Sequence, residues 1–332
     1  MRTDVLRIIQ VEITTFCNAR CVYCPVAVYS NTWRARHMDF GLFTKIVEEA
    51  AQLGVEYIHL QGWGEPLLHP RFFEMLSLTK RRFKAGFTTN GELLTPHMIS
   101  KIVDVGVDVV AVTFAGASSK THNKYRLGTD FETVLKNVGE LARRIDARVV
   151  AVYMMLKDSV DDLPRFVEKA AEAGVREINL SNVVYIPHPS VWGVKVFSNL
   201  FSPPPRRVVE AVRAAMEVGE RLGVVVHSRL FSPWEQVECP EAPTSSIYIG
   251  VDGDVSPCVY LNIPAEGAVR CFENKCESAP RVVFGNIKES RLAEVVTSKK
   301  RRDFVDSFER RKRGEAVNPP EPCRRCYLLY GV

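Results

Sequence analysis

The sequence predicts an α/β fold: a partial (β/α)6 parallel barrel followed by a small C-terminal domain made of a hairpin and helices. Over about the first two-thirds of the chain, apolar runs alternate with amphipathic segments. Repeated strand-then-helix order gives parallel strands joined by right-handed crossovers, which can curl into a barrel or part of one. After about residue 229 the pattern changes to short strands and spaced cysteines. We therefore predict a barrel domain over residues 1–230 and a second domain over residues 231–332.

The segments of the barrel follow one another in a regular order. Strands are expected, as apolar runs, at Ile8–Thr14, Tyr57–Gln61, Lys84–Thr89, Val109–Phe114, Arg148–Met155, Glu177–Asn182 and Val224–Ser228. Helices are expected, as amphipathic segments between them, at Phe40–Leu53, Arg71–Arg82, Pro96–Val105, Phe131–Ile145, Leu163–Ala173 and Pro205–Leu222. Several helices end at a glycine before the next strand, namely at Gly54, Gly106, Gly174 and Gly223.

The C-terminal part has a different composition. The apolar segments Ser245–Val251 and Asp254–Tyr260 flank Asp252-Gly253, which is a strong signal for a β-hairpin. Six cysteines follow residue 230, at Cys239, Cys258, Cys271, Cys276, Cys323 and Cys326. Short strands of this kind cannot bury enough apolar area alone, so we expect metal ligation to hold this domain together.

Composition and charge restrict the possible functions. The chain of 332 residues carries a mild net charge of +5, and its basic runs near residues 299–313 are interleaved with acidic residues. This pattern is typical of a solvated helix face, so a nucleic-acid partner is not expected. No apolar stretch reaches the length of a membrane-spanning helix, and the N-terminus does not resemble a signal peptide. We expect a cytoplasmic protein with no membrane partner, in which clustered cysteines indicate metal or redox chemistry.

Three of the nine cysteines, Cys17, Cys21 and Cys24, fall within eight residues directly after the first predicted strand. A structural zinc ion takes four protein ligands, whereas three cysteines around an iron–sulfur cubane leave one iron open. A small molecule can bind that open iron and be reduced through it. The spacing alone is also consistent with a zinc site whose fourth ligand lies elsewhere, or with three buried structural thiols.

Polar or glycine-rich segments follow the next three predicted strands. Gly62–Pro66 follows the second strand, Thr88–Gly91 ends the third, and Thr113 ends the fourth. The carboxyl ends of the strands of a parallel barrel lie at one face, where active sites form. We therefore expect these segments to meet the cysteine triplet at one site.

These residues resemble the signature of radical S-adenosylmethionine (SAM) enzymes, in the expected order over roughly the first two-thirds of the chain. The residues that carry the resemblance are Cys17, Cys21 and Cys24, with Tyr23 before the last cysteine, then Gly64-Glu65-Pro66, Thr89-Asn90-Gly91, Thr113 and Arg126. The resemblance implies that the three cysteines bind a [4Fe–4S] cluster whose fourth iron takes the amino and carboxylate groups of SAM.

The resemblance also implies a role for each SAM-contacting residue. Tyr23 would lie near the adenine, and Gly64 would let the backbone approach the ligand. Glu65 would hold the methionine ammonium group, and Arg126 would pair with the carboxylate, although Lys124 is a rival cation. Asn90 and Thr113 would be polar contacts near the ribose or carboxylate. No acid, base or radical-quenching residue is assigned. Tyr153, Lys157 and Asn182 are further candidates for the barrel mouth, and His69, which follows the Gly64–Pro66 turn, is an alternative candidate rather than an expected one.

The C-terminal part resembles the twitch or SPASM-type extension of the same superfamily. The matching features are Cys239, the hairpin Asp252–Cys258, Gly285-Asn286-Ile287 and the late Cys323–Cys326 pair. The resemblance implies a second [4Fe–4S] cluster held by Cys239, Cys258, Cys323 and Cys326; the cysteine spacing alone leaves zinc as the alternative. Cys271 and Cys276 lie in an apparent insertion; they could form a local disulfide if the source is a hyperthermophile, and the alternative is that they are the remnant of a second auxiliary site.

The resemblance implies an enzyme that reductively cleaves SAM to a 5′-deoxyadenosyl radical, which abstracts hydrogen from a substrate. Its substrate would be a peptide, a protein or a cofactor precursor, and its electron donor a ferredoxin or flavodoxin. Maturation of tungsten or molybdenum oxidoreductases is the expected role, and a peptide-modifying maturase is the alternative. A zinc-bound scaffold or nucleic-acid-binding protein is the alternative from another class, but it does not explain the alignment of the cysteine triplet with the Gly64 and Asn90 segments.

Overall fold

The computed structural model describes residues 6–197, 200–228 and 234–332. Its strands are β1 Ile8–Val11, β2 Arg20–Cys21, β3 Tyr57–Leu60, β4 Lys84–Thr89, β5 Val109–Phe114, β6 Arg126–Leu127, β7 Arg148–Met154, β8 Glu177–Ser181, β9 Val225–Ser228, β10 Ser246–Ile249, β11 Asp254–Ser256, β12 Val269–Phe272, β13 Lys275–Ser278 and β14 Gly285–Asn286. Its α-helices are α1 Pro25–Val28, α2 Phe40–Gln52, α3 Phe72–Lys80, α4 Pro96–Val105, α5 Ser119–Tyr125, α6 Phe131–Arg144, α7 Leu163–Ala173, α8 Arg206–Leu222, α9 Leu292–Val296 and α10 Lys299–Lys312.

One ten-stranded sheet organises the molecule, in the order β14-β11-β10-β1-β3-β4-β5-β7-β8-β9. All seven strands predicted for the barrel lie next to one another in it, and every pairing between them is parallel. Within the described residues the sheet stays open between β9 and β14, as a partial barrel requires. The predicted fold class is therefore confirmed.

The barrel strands bury one face against the helices that connect them. In β3, for example, Ile58 and Leu60 are fully buried while the alternate residues Tyr57 and His59 are only partly buried. Several helices begin at side-chain caps; at the start of α2, for example, Asp39 accepts a hydrogen bond from the backbone N–H of Leu42 at 3.0 Å. The predicted terminal glycines Gly54, Gly106, Gly174 and Gly223 all have positive φ, so each ends its helix as expected.

The C-terminal segment extends the barrel sheet. Strand β10 pairs in parallel with β1, and β11 returns antiparallel to β10 through the predicted turn, where Gly253 has a φ of +88°. Backbone pairing therefore joins the segment after residue 234 directly to the first barrel strand. The boundary predicted at residues 230 and 231 lies outside the described residues, and the division into two domains stays a prediction.

The insertion near residues 265–280 forms the hairpin β12–β13. Cys271 and Cys276 face one another across it and form a disulfide bond, which is the local pairing that the sequence allowed. The hairpin contacts the barrel at Ile186, whose carbonyl oxygen accepts the N–H of Cys271 at 2.9 Å. In the part of the chain that is described, no helix has both the length and the apolar character needed to cross a membrane.

Candidate active site

The cysteine triplet lies on the loop after β1, held from both sides. Cys21 is in β2, where it pairs with Arg126 of β6, and the N–H of Cys24 donates to the carbonyl oxygen of Cys21 at 2.9 Å. Burial raises the pKa of Cys17 to about 11. Burial also raises the pKa of Cys24, and the charges of Cys21 and Cys17 add to that shift. The three thiols are therefore near neighbours in a desolvated pocket, with the donor set that suits an iron–sulfur cluster.

Glu65 joins the loop after β3 to the end of β4. Its Oε1 accepts a hydrogen bond from the Thr89 hydroxyl at 2.7 Å, and its Oε2 accepts one from the Asn90 N–H at 2.7 Å. Burial raises the pKa of Glu65 to about 7, although both hydrogen bonds oppose that shift. The Glu65 N–H also donates to the carbonyl oxygen of Phe16, next to the first cysteine, at 2.8 Å. The carboxylate is thus held beside the cysteine loop.

Arg126 connects the cysteine loop to the end of β5 through two hydrogen bonds. It is 6 % exposed, and it donates from Nη1 to the Tyr23 hydroxyl at 3.0 Å and from Nη2 to the Thr113 hydroxyl at 2.6 Å. Its Nε is buried and has no hydrogen-bond partner. A buried donor without a partner is costly, so this atom fits a bound carboxylate. Lys124, the alternative cation for the carboxylate, is exposed and pairs with Asp158 instead.

The remaining predicted contacts lie in the same region. The Asn90 amide donates to the Asn18 side chain at 2.8 Å, and the Thr113 hydroxyl donates to the carbonyl oxygen of Thr89 at 3.2 Å. Position 64 requires a glycine because of a close contact within the chain rather than with a ligand. A Cβ at this position would lie 2.2 Å from the carbonyl oxygen of Thr14. All six predicted SAM-contacting residues are therefore brought to the carboxyl end of the sheet, next to the cysteine triplet.

Sequence reasoning assigned no role to Asn18, Thr89 or the buried Glu12. Glu12 follows β1, is 2 % exposed, and accepts the N–H of Trp63 at 2.6 Å. An acidic residue inside the apolar run Ile8–Thr14 is the signal that could have identified it. Trp63 itself packs against Tyr185 and Tyr260, with ring centroids 5.8 and 5.9 Å apart.

Two of the candidates for the barrel mouth are wrong. Tyr153 is fully buried and faces the helices, where its hydroxyl donates to the carbonyl oxygen of Ser159 at 2.6 Å. His69 is also buried, and its ring nitrogens are used by the carbonyl oxygen of Met38 and the N–H of Arg71. Lys157 is exposed, whereas Asn182 lines the central cavity.

A cavity of about 590 Å³ occupies the carboxyl end of the barrel. Gln61, Thr88 and Thr113 line it on the side of the cysteine triplet. Glu241 and Tyr260 line it on the other side, close in sequence to Cys239 and Cys258. The cavity is therefore lined by residues that lie near each group of cysteines in the sequence or through hydrogen bonds. Asn182 also lines it, and the buried amide oxygen Oδ1 of Asn182 has no hydrogen-bond partner.

The second group of cysteines comes from three separate segments. Burial raises the pKa of Cys258, and the charges of Cys326, Cys323 and Cys239 contribute to the same shift. None of the four forms a disulfide bond within the described residues. Within residues 6–197, 200–228 and 234–332, no three His, Cys, Asp or Glu side chains converge closely enough to hold one metal ion. A cubane takes one thiolate at each iron, so its ligands stand farther apart than those of a single zinc ion.

Comparison with known families identifies both parts of the chain. A family model described as the Radical SAM superfamily matches residues 11–170. A second model, SPASM, described as an iron–sulfur cluster-binding domain, matches residues 239–327 and includes all four cysteines of the second group. The second match identifies an iron–sulfur domain rather than a zinc scaffold.

Similar proteins come from several systems. The chain is 26 % identical over 309 residues to a tungsten-containing aldehyde ferredoxin oxidoreductase cofactor-modifying protein of Pyrococcus furiosus, covering 89 % of this chain and 82 % of that protein. It is 27 % identical over 300 residues to a PqqA peptide cyclase of Ruegeria pomeroyi, covering 86 % and 72 %.

The fold is also similar to that of Streptococcus suis SuiB bound to S-adenosylmethionine. The TM-score is 0.69 at 15 % identity, covering 98 % of this chain and 72 % of that one. The strand order, the cysteine triplet with its hydrogen-bonded neighbours, and the two family matches agree with one another. The chain carries a radical SAM domain over residues 11–170 and a C-terminal SPASM iron–sulfur domain over residues 239–327, and it is a radical SAM enzyme that uses S-adenosylmethionine.

Proposed function

We propose that this enzyme acts in the maturation of a cofactor or an oxidoreductase, with a cofactor precursor of the tungsten or molybdenum type as its substrate. The single observation that carries the proposal is the cavity at the carboxyl end of the barrel, whose lining includes Thr113, bonded to Arg126, and Pro240, next to Cys239. The cofactor-modifying relative from Pyrococcus furiosus covers both domains of the chain and supports this choice. We place the enzyme in the cytoplasm, with a ferredoxin or flavodoxin as electron donor.

The proposed binding roles follow from the side chains. Cys17, Cys21 and Cys24 would hold the first [4Fe–4S] cluster, which, when bound with SAM and reduced, supplies a 5′-deoxyadenosyl radical. Arg126 would present its free Nε–H to the SAM carboxylate. Glu65, already fixed by Thr89, would face the ammonium group.

The other contacts position these groups and shield them from water. Tyr23 holds the Arg126 guanidinium through its hydroxyl, while Thr113 and Asn90 would give polar contacts near the ribose or carboxylate. Gly64 lets the loop after β3 pack against the backbone of the cysteine loop, and so brings Glu65 near the site. These residues bind and orient the cofactor; the radical chemistry belongs to the cofactor itself.

We propose that Cys239, Cys258, Cys323 and Cys326 hold a second [4Fe–4S] cluster. Four cysteines for four irons leave no open position, which favours electron transfer to or from the cavity over direct substrate binding. The location of Tyr260 at the cavity wall and of Cys258 two residues before it supports such a path.

Anaerobic reconstitution tests the chemistry. The wild-type protein should be brown, bind about eight irons and release 5′-deoxyadenosine only when a reductant is present. A protein with tightly bound zinc and no release of 5′-deoxyadenosine would contradict the proposal. Omission of the reductant is the matched control.

Substrate identity needs a direct comparison. The proposal predicts that the precursor form of a tungsten or molybdenum cofactor, or the apo-oxidoreductase carrying it, increases 5′-deoxyadenosine release and is itself modified, as mass spectrometry would show. Similarity to PqqA peptide cyclases favours peptide modification as the second candidate. Stimulation by a small precursor peptide, without any by the cofactor precursor, would select the peptide-modifying function.

A further inference from the structure

A buried arginine lies beside the second group of cysteines and has no part in the proposed binding of SAM. Arg270 belongs to β12 of the disulfide-closed hairpin and is 8 % exposed. Burying a guanidinium is expensive unless hydrogen bonds or opposite charges compensate for the lost hydration. Its surroundings therefore indicate what it is placed to neutralise.

The contacts of Arg270 leave one end of the guanidinium available. Nη2 donates to the carbonyl oxygen of Pro322, directly before Cys323, at 2.5 Å. Nη1 is buried and has no hydrogen-bond partner. The carbonyl oxygen carries no formal charge, so this hydrogen bond does not neutralise the cation.

The hydrogen bond to Pro322 places the Arg270 guanidinium beside Cys323, three residues before Cys326. A buried cation in that position favours the thiolate form of a neighbouring cysteine. Thiolates are the form in which cysteines bind iron.

The position of Arg270 is fixed by its neighbours along β12. The carbonyl oxygen of Val269 accepts hydrogen bonds from the hydroxyls of Tyr29 at 3.1 Å and Tyr185 at 2.8 Å. On the other side, Cys271 is tied to Ile186 through its backbone and to Cys276 through the disulfide. The backbone on both sides of Arg270 is thus anchored to the barrel.

We propose that Arg270 is a positioning residue for the second iron–sulfur cluster. Arg270 supplies a buried positive charge and a free N–H donor beside Cys323 and Cys326, and it thereby raises the reduction potential of that cluster. Net charge and hydrogen bonds around the sulfurs are the factors that set such potentials. This inference rests on the proposed function, because it takes Cys239, Cys258, Cys323 and Cys326 as the cluster ligands.

The experiment measures the second cluster alone. In a C17A/C21A/C24A background, the full-length protein is reconstituted anaerobically, its iron is counted, and the cluster is titrated by electrochemistry with electron paramagnetic resonance detection. Arg270→Gln keeps a donor for the Pro322 carbonyl but removes the charge. We expect the ratio of reduced to oxidised cluster at the original midpoint to fall about tenfold, which corresponds to about 59 mV for one electron.

Two further variants separate charge from structure. Arg270→Lys keeps the charge and should recover most of the potential. Arg325 lies between Cys323 and Cys326 in the sequence, but its side chain is 52 % exposed and is already paired with Glu277. The Arg325→Gln variant should therefore leave the reduction potential unchanged. If the role of Arg270 were purely structural, its substitutions would change the iron content of the protein. The reduction potential would then not be lower in Arg270→Gln than in Arg270→Lys and Arg325→Gln.

The possible results distinguish the two proposals. If the background protein binds no iron, or binds zinc instead, the proposed ligand set is wrong and the role of Arg270 is wrong with it. If the background protein binds four irons but Arg270→Gln and Arg270→Lys both keep the wild-type potential, the inference about Arg270 is overturned while the proposed function stands. If Arg270→Gln fails to hold iron, Arg270→Met, which is also uncharged and of similar length, is titrated in its place, and a wild-type potential in that variant overturns the inference.

Discussion

At the scale of single residues, two buried carboxylates hold the loop after β3 in place. Glu12 accepts the N–H of Trp63, and Glu65 accepts the N–H of Asn90, so the loop is fastened to β1 on one side and to β4 on the other. Burial raises the pKa of each to about 7. Such carboxylates cost stability when ionised, which explains why backbone donors surround both of them.

Glu12 therefore predicts a dependence of stability on pH. The folded-state pKa of about 7 exceeds the unfolded value of 4.5, so its contribution is fully present below pH 4.5 and is lost as pH rises through 7. Glu12→Gln removes this loss while keeping the acceptor for Trp63. Relative to wild type, the variant should gain about 2 kcal/mol of stability between pH 5.5 and pH 8.5. Thermal unfolding at the two pH values measures it; equal shifts for both proteins would contradict the assignment.

Arg126 is the residue on which proposed SAM affinity depends most. Arg126→Gln removes the charge and the free Nε–H, and should weaken SAM binding to the loaded enzyme by about tenfold to a hundredfold, the range expected for charge-assisted hydrogen bonds. Anaerobic titration calorimetry measures the change. Lys124→Gln, two residues away and exposed, is the matched control and should bind SAM like wild type. Equal weakening by both variants would argue against the proposed pairing.

At the scale of elements, close packing of loops brings the site residues together. The loop after β3 lies against the cysteine loop, where Gly64 contacts the backbone of Thr14 and Phe16. The short strands β2 and β6 pair Cys21 with Arg126 and so place a cysteine beside the arginine that we propose to contact SAM. These short pieces have little apolar surface of their own, so the barrel must form before they can be held in place.

Gly64→Ala tests this packing. The added Cβ would lie 2.2 Å from the carbonyl oxygen of Thr14 and 2.7 Å from that of Phe16, so the two loops must separate. We expect a loss of about 1–3 kcal/mol of stability, together with weaker iron loading at the first site. Gly193→Ala is the control, because a Cβ there meets nothing within 4 Å. Thermal unfolding and iron analysis measure both; unchanged behaviour of Gly64→Ala would show that the loops separate without cost.

The disulfide hairpin gives a second prediction at this scale. Cys271 and Cys276 close a short loop, so the double substitution C271S/C276S should lower the free energy of unfolding by about 2 kcal/mol through a less restricted unfolded chain. Denaturant unfolding without reductant measures the loss. Reductant should lower the stability of wild type alone, and equal sensitivity of both proteins would contradict the prediction.

At the scale of the whole molecule, one sheet joins the two cysteine groups. Strand β10 pairs with β1, so the segment that leads to Cys258 starts beside the strand that leads to Cys17. The central cavity is lined by residues at or next to the carboxyl ends of β3, β4, β5, β7, β8 and β9. A continuous sheet can hold two metal sites at a constant separation, which suits electron transfer between the sites and a shared cavity.

The two proposed clusters should nevertheless load independently, because no cysteine is shared between them. Cys21→Ala should lose SAM cleavage but keep about four irons in the C-terminal site. C323A/C326A should keep the first cluster and its SAM cleavage. Iron analysis and 5′-deoxyadenosine release measure both variants, and loss of all iron in either one would show that the two sites depend on each other.

The sequence by itself determined the order of strands and helices, the cysteine spacing, and the meeting of Glu65, Asn90 and Thr113 at one face. These follow from local patterns and from a general rule, because the carboxyl ends of parallel strands share one edge of the sheet. A signature confined to a short loop likewise needs no knowledge of distant contacts. The class of chemistry could therefore be predicted before any coordinate was known.

Only the tertiary structure decided contacts between residues far apart in the chain. It placed Arg126 rather than Lys124 at the site, and paired β10 with β1. It also turned Tyr153 to the helices, while its neighbours Val152 and Met154 line the cavity. Side chains alternate along a strand, so a shift of one residue reverses which face each one takes. Arg270 lies beside Cys323 because distant segments of the chain pack together. No local sequence pattern determines which charged residue lies beside which thiol.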